Sequence, residues 1–179
     1  AAYTENGAAV ALEPTASVFD VDLAAAGSYA GASLTLARQG GANAQDVFSG
    51  TGTLGALTEG AAFTVGGTTI GTVAQNSGGS LTLEFNANAT QALVNEALRG
   101  IAYANTSDAP PASVAIGWTF NDGNTGAQGA GGARSASATS TVLVTAVNDA
   151  PVAVADAVGT NEDTAVTVTA ASLLANDTD

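Results

Sequence analysis

The 179-residue sequence contains no cysteine, histidine, methionine or lysine. The absence of cysteine excludes a disulfide framework, and the absence of both cysteine and histidine excludes a zinc site of the ordinary ligand type. A Ser-His-Asp or Cys-His nucleophile system is excluded as well, because its general base is missing. Without lysine, no internal Lys–Asn isopeptide cross-link can form. We therefore expect a protein that is not an enzyme and that is held together by packing, strand pairing and bound metal.

Positive charge is also scarce. Sixteen acidic residues face only Arg38, Arg99 and Arg134, which gives a formal net charge of −13. Such a field repels phosphate backbones and anionic lipid, so we expect neither a nucleic-acid partner nor membrane insertion. Clustered carboxylates instead suit a hard divalent cation with oxygen ligands. No apolar run is as long as a membrane span, and no signal peptide begins the chain, which we interpret as a piece of a longer protein.

Short β-like runs alternate with glycine-rich turns from end to end, a pattern typical of an all-β sandwich. The predicted strands are Ala8–Leu12, Ser33–Arg38, Phe63–Val65, Thr68–Ala74, Leu81–Phe85, Ile101–Ala104, Val114–Phe120 and Thr139–Val147. Gly66-Gly67 suits a two-residue hairpin turn. One short helix is predicted between Thr90, as its N-cap, and Gly100, as its end.

The chain changes character after Val147. Asn148-Asp-Ala-Pro151 has the composition of a linker, because Pro151 cannot continue a central strand. The sequence thus predicts one β-sandwich module over residues 1–150, followed by residues 151–179 as the linker and the first part of another module.

An internal repeat supports this division. Glu5 is followed fifteen residues later by Asp20 and seventeen later by Asp22, and Glu162 is followed at the same spacings by Asp177 and Asp179. A strand rises about 3.3 Å per residue, so Glu5 and the Asp20/Asp22 pair are expected near opposite ends of the sandwich. Modules that share metal ions at their junctions need carboxylates at both ends.

These features together resemble the cadherin-like tandem repeats of large secreted bacterial adhesins of the RTX type. The resemblance rests on the early Glu5, the D-x-D motifs, the strand that ends in Asn121-Asp-Gly123, and the closing Val144-Thr-Ala-Val-Asn-Asp-Ala-Pro151. It implies a cadherin/Ig-like antiparallel β-sandwich with calcium ions between successive modules. It also implies a secreted, extracellular location on the bacterial surface and adjacent copies of the module as partners.

The resemblance assigns calcium ligands residue by residue. Asp20, Asp22 and Asp122 would face the preceding module, whereas Glu5 and the linker residues Asn148 and Asp149 would face the following one. Asp177 and Asp179 would be the D-x-D of the next module. Alanine replaces two linker ligands of the family, at Ala146 and Ala150, so we expect fewer or weaker ions, with dissociation constants of about 10⁻⁴–10⁻³ M or weaker.

Simpler structural interpretations compete with some of these assignments. Asp20 and Asp22 could be turn residues, and Asn121-Asp-Gly123 is also a good hairpin turn. Trp118 is expected in the core. Four further acidic residues are interpreted as solvated surface: Asp46, Glu84, Glu96 and Asp108.

Three functions remain open on the sequence alone. The first is a calcium-stiffened repeat in the stalk of a bacterial surface adhesin, with a spacer or adhesive role towards a cell-surface or matrix ligand. The second is a subunit of a self-assembling extracellular filament or biofilm matrix, in which the C-terminal segment complements a neighbouring chain. The third is a non-catalytic, sugar-binding module of a secreted carbohydrate-active enzyme, for which the few aromatic residues offer little support.

Overall fold

A computed structural model describes residues 1–178 and places ten strands and three helices among them. The strands are β1 (Ala2–Thr4), β2 (Val10–Ala11), β3 (Ser33–Arg38), β4 (Asp46–Gly50), β5 (Ala62–Val65), β6 (Thr68–Ser77), β7 (Ser80–Phe85), β8 (Ile101–Asn105), β9 (Ser113–Asn121) and β10 (Ser135–Thr145). The helices are α1 (Val21–Ala26), α2 (Gln91–Gly100) and α3 (Ala170–Leu173). The chain divides into one compact unit, Ala1–Ala146, and a second that begins at Val147.

The first unit is an all-β sandwich with a short helix, as predicted. Its larger sheet has the strand order β1-β10-β9-β3-β7-β6-β5, and its smaller sheet has the order β2-β8-β4. Neighbouring strands are antiparallel except β1 and β10, which run parallel. The core lies between the two sheets, because strands of both layers bury alternate side chains, such as Leu34 and Leu36 on β3 and Phe48 on β4.

All eight predicted strands are present, with small shifts at their ends. The Gly66-Gly67 turn joins β5 to β6 as expected, and both glycines adopt positive φ, +56° and +81°, as a type I′ hairpin requires. The predicted helix is also confirmed, since the side chain of Thr90 accepts a hydrogen bond from the N–H of Leu93 at the start of α2. Trp118 lies in the core, only 7% exposed.

Four elements were missed by the sequence analysis: β1, α1, β4 and α3. The strand β4 begins at Asp46, a residue that the alternation turns towards the core, so the interpretation of Asp46 as solvated surface is wrong. The helix α1 begins directly after Asp20 and ends at Gly27, which has φ +70°. An aspartate cap, three alanines and a terminal glycine were the signals for it.

The second unit has little regular structure in its described part. Besides α3, it contains one antiparallel bridge between Val152 and Thr178. The run Ala165–Thr169, which the repeat predicts as the counterpart of β2, forms no strand. The reason is that β2 pairs with β8, and residues 147–178 contain no counterpart of β8. Whether this unit begins another repeat stays a prediction.

None of the helices in residues 1–178 is both long and apolar enough to cross a lipid bilayer.

Candidate metal centres

Two carboxylates meet at the end of the sandwich where β1 and β10 finish. Glu5 follows β1, and its N–H donates to the carbonyl of Thr145, the last residue of β10, at 3.0 Å. Asp108 lies in the loop between β8 and β9. A carboxylate oxygen of Glu5 and one of Asp108 lie within 4.8 Å of each other. Glu5 is only 3% exposed, whereas Asp108 is open to solvent.

The local sequence explains why Glu5 is turned inward. The alternation of β1 buries Tyr3, exposes Thr4 and buries Glu5. A tight turn follows at once, with Asn6 at φ +58° and the N–H of Gly7 donating to the carbonyl of Thr4 at 2.9 Å. Backbone pairing to β10 on one side and this turn on the other therefore fix the position of the Glu5 backbone.

The loop that carries Asp108 is also held by local hydrogen bonds. The N–H of Ser107 donates to the side chain of Asn105 at 2.9 Å, and the N–H of Ala109 donates to the hydroxyl of Ser107 at 3.2 Å. These two turns position the Asp108 backbone between them. The sequence analysis took Asp108 for ordinary surface because only the fold brings it close to Glu5.

At the opposite end of the sandwich, Asp20 is the N-cap of α1. Its Oδ1 accepts from the N–H groups of Asp22 and Leu23, at 3.0 and 2.9 Å, and so caps α1. Asp22 lies in the first turn of that helix and is exposed. The N–H of Asp20 donates to the hydroxyl of Tyr29, whose ring packs against Phe120 near the end of β9.

Asp122, 7% exposed, organises the long loop between β9 and β10. Its Oδ1 accepts from the N–H of Asn124 at 3.0 Å and from that of Arg134 at 2.9 Å. Gly123 follows with φ +66°, and a Cβ at this position would lie 1.9 Å from the carbonyl oxygen of Gly31. Only glycine fits this contact, so the Asn-Asp-Gly sequence is explained here by the turn.

The two ends are separated by the length of β10. Asp122 bonds Arg134, just before β10 begins, and Glu5 bonds Thr145, where β10 ends. Eleven residues of strand correspond to about 36 Å. Within residues 1–178, Asp20, Asp22 and Asp122 are not gathered into a group of three carboxylates with ligand atoms inside 4.8 Å. Their role as calcium ligands stays a prediction.

In the second unit, Asp177 accepts a hydrogen bond from the backbone just after the linker. Its Oδ1 accepts from the N–H of Val154 at 2.8 Å, next to the bridge between Val152 and Thr178. Asn148 and Asp149 are exposed, and the Asn148 amide donates to the carbonyl of Asp149. Glu162 is exposed as well. Asp179 lies outside the described residues, so its predicted role as a ligand has no structural counterpart.

One further carboxylate, Asp46, is buried and fully engaged by the chain itself. Arg38 donates to it twice, from Nε at 2.9 Å and from a terminal nitrogen at 2.6 Å. Tyr103 and Asn105 donate to it at 2.7 and 2.9 Å. Burial, followed by the bond to Asp46, raises the pKa of Tyr103 to about 12, and the same carboxylate raises the pKa of Arg38. The cluster joins the two sheets, because Arg38 lies on β3 and Asp46 on β4.

Comparison with known proteins gives one match. A family model described as a cadherin-like domain matches residues 147–179. No curated protein and no solved structure matches the chain. The matched part is the second unit and suggests an adhesion-type repeat module. Cadherin-like domains are non-enzymatic, extracellular adhesion folds that generally bind calcium.

Proposed function

We propose that this chain is a calcium-binding, extracellular repeat module that forms part of the stalk of a bacterial surface adhesin. The observation that carries the proposal is the pair of carboxylates, Glu5 and Asp108, at the end of the sandwich from which the linker departs. The acidic composition, the repeated Glu and D-x-D spacing and the cadherin-like match of residues 147–179 support it.

The chemistry of this pair favours a hard cation. Two carboxylates within 4.8 Å repel each other, and the repulsion is stronger where one of them is shielded from water. A calcium ion removes the repulsion and uses carboxylate oxygens as ligands, of which it takes six to eight. Glu5 and Asp108 would supply the part of the shell that belongs to the module.

The linker would supply more ligands. Asn148 and Asp149 follow Thr145 by three and four residues, and Thr145 is the residue whose carbonyl bonds Glu5. At about 3.3 Å per residue, Asp149 can extend no further than about 13 Å from Thr145. A calcium ion that draws the linker towards Glu5 would stiffen the start of the next module, which is the mechanical property a stalk needs.

The test is a thermal melt of the 179-residue chain during a calcium titration to several millimolar, with magnesium as the control ion. We expect a calcium-specific rise in Tm, because a ligand that binds only the folded state stabilises it by about 1.4 kcal/mol at ten times its Kd. Asp149→Asn should lose most of this rise. Asp156→Asn, an exposed carboxylate of the same unit outside the proposed shell, is the matched control and should retain it.

An identical Tm with and without calcium in the wild-type chain would overturn the proposal. If both variants lost the calcium-dependent rise in Tm equally, the rise would depend on the net charge of the chain and not on a defined calcium site.

We propose self-assembly as a second function, because the sandwich has an incomplete sheet edge. Only the last part of β10 is covered by β1, whose Ala2–Thr4 pairs with Leu143–Thr145. Among the described residues, the edge of β10 from Ser135 to Ser140 that faces away from β9 is paired with no strand. An open edge of this kind is a template for strand addition.

A further inference from the structure

Endopeptidases of trypsin-like specificity hydrolyse the peptide bond that follows a lysine or an arginine, and this chain offers them few such bonds. It contains no lysine, and its three arginines are Arg38, Arg99 and Arg134. Residues 135–179, which include the whole second unit, contain no basic residue at all. The second unit therefore has no bond that this class of protease can cut, although it has little regular structure in its described part.

Two of the three bonds follow arginines that are held in regular structure. Arg38 ends β3, which pairs with β7 on one side and with β9 on the other, and its guanidinium is bound by Asp46. Arg99 lies in α2, and its Nε donates to the carbonyl of Ala16 at 2.9 Å. A protease must take several extended residues into its cleft, so cleavage at either site requires the sheet or the helix to unfold first.

Arg134 instead ends an exposed loop between β9 and β10. Residues 130–133, directly before it, make no hydrogen bond to any part of the chain that the structure describes. Residues 129–134 are all exposed, so opening this stretch uncovers no core side chain. Gly131 and Gly132 gain more conformational freedom on opening than other residue types would. Exposed loops of small residues with few contacts are the places where proteases cut folded proteins.

Asp122 supplies the hydrogen bonds that hold Arg134. Its N–H donates to the carbonyl of Arg134 at 3.0 Å, and its Oδ1 accepts from the N–H of Arg134 at 2.9 Å. The carbonyl bonded by Asp122 belongs to the peptide bond that a protease would hydrolyse. These hydrogen bonds must break before the protease can bind the site, so Asp122 controls how often the site is open.

We propose that the peptide bond between Arg134 and Ser135 is a processing site for an endopeptidase of trypsin-like specificity, and that the cut protein stays assembled as two chains. Hydrolysis adds one water molecule across this bond and leaves a carboxylate on Arg134 and an ammonium group on Ser135. The inference goes beyond the proposed function and depends on neither calcium binding nor self-assembly.

The strand that follows the cut is held by the rest of the sandwich. It pairs with β9 along Ser135–Leu143 and with β1 along Leu143–Thr145, and it buries Val142 and Val144 in the core. Because β10 leads directly into the linker, the cut replaces covalent attachment of the second unit by attachment through β10. Force or denaturant would then release residues 135–179 without breaking another peptide bond.

The test is limited trypsin digestion of the 179-residue chain, followed by intact-mass analysis and size-exclusion chromatography. We expect one early cut, which gives fragments 1–134 and 135–179 that elute together in native buffer and separately in concentrated guanidinium chloride. Arg134→Gln should abolish this cut. A first cut at Arg38 or Arg99 would overturn the site, and so would a folded chain that resists trypsin while the unfolded chain is cut. Fragments that separate in native buffer would overturn the two-chain form.

Asp122→Ala tests the control of the site. The variant should be cut at Arg134 about tenfold faster, the change that loss of one hydrogen bond to a charged acceptor brings when cleavage follows local opening. Glu84→Ala, which changes an exposed acid on β7, is the matched control and should be cut at the wild-type rate. An unchanged rate in Asp122→Ala, or equal acceleration at all three arginines, would overturn the role of Asp122.

Discussion

Two buried carboxylates near one end of the sandwich have opposite surroundings. Asp46 and Glu5 are each 3% exposed. Asp46 accepts two hydrogen bonds from Arg38, one from Tyr103 and one from Asn105, so its charge is balanced inside the chain. Glu5 instead lies beside a second carboxylate, that of Asp108.

The difference separates two uses of a buried acid. The ion pair of Asp46 is complete and joins β3 of one sheet to β4 of the other, so it serves the fold. The pair of Glu5 and Asp108 brings two acidic side chains within 4.8 Å of each other. A bound cation is the partner that makes such a pair favourable.

The two places are connected through Tyr3. Its hydroxyl donates to the carbonyl of Asn105 at 3.0 Å, and its ring meets that of Tyr103 edge to face with centroids 6.0 Å apart. Tyr3 lies on β1, two residues before Glu5. The hydrogen-bonded cluster around Asp46 therefore supports, through Tyr3, the backbone that positions Glu5.

The largest predicted effect is that of Asp46→Asn. The substitution leaves Arg38, whose side chain is 20% exposed, without its anion, which should lower the free energy of unfolding by about 3 kcal/mol. Urea denaturation with and without calcium measures it, and calcium should restore none of the loss. Glu84→Gln, an exposed acid on β7, is the control and should stay within about 0.5 kcal/mol. A recovery of Asp46→Asn in calcium would remove the distinction between the two carboxylates.

Glu5→Gln should act only on the calcium response. In calcium-free buffer its stability should equal or exceed that of the wild type, because one of two like charges is removed. At ten times the Kd the wild type should gain about 1.4 kcal/mol and the variant close to nothing. Glu162→Gln changes the same repeat position in the second unit and serves as the control. A calcium gain that survives in Glu5→Gln would place the ion elsewhere.

Asp20 allows its capping role to be separated from a ligand role. Asp20→Ala should cost about 1 kcal/mol through loss of the α1 cap, whereas Asp20→Asn should cost little, because asparagine caps as well as aspartate does. Thermal melts in calcium-free buffer measure both. If Asp20→Ala and Asp20→Asn lose equal stability, Asp20 does not stabilise the protein by capping α1. If Asp20→Asn lowers the calcium-dependent rise in Tm without lowering stability in calcium-free buffer, Asp20 is also a calcium ligand.

An effect confined to alkaline pH tests the cluster around Asp46. The folded-state pKa of Tyr103 is raised to about 12 from an ordinary value of 10.0, so folding favours the protonated phenol. Its contribution is complete below pH 10 and is lost as the pH rises towards 12. Tyr103→Phe should therefore lose less stability than the wild type over this interval. Burial also raises the pKa of Tyr29. Tyr29 is present in both proteins, so it does not contribute to the difference between them. An identical pH dependence would show that Tyr103 ionises freely.

Much of the fold was predictable because it depends on local pattern. Alternation predicted eight strands, Gly66-Gly67 predicted a hairpin, and Thr90 and Gly100 predicted α2. The strand β4 escaped because it begins with an aspartate, and nothing in Asp46-Val-Phe-Ser-Gly50 reveals that Arg38 lies opposite. Long-range pairing decided that an acidic residue faces inward.

The candidate site was predictable only in part for the same reason. The repeat singled out Glu5, since its spacing to Asp20 and Asp22 recurs. Asp108 carries no comparable signal in Ser107-Asp-Ala-Pro110, and only the placement of the loop after β8 brings it within 4.8 Å of Glu5. The sequence offered turn roles for Asp20 and Asp122 as alternatives, but the particular backbone groups that they bond depend on the folded backbone.

The most direct test of the central claim is a crystal structure of the chain grown in calcium, with anomalous diffraction used to identify the ion. We predict an anomalous peak with oxygens of both Glu5 and Asp108 about 2.3–2.6 Å away, and no peak beside Asp46. An ordered Glu5 carboxylate with no cation next to it, in crystals that contain several millimolar calcium, would contradict the account.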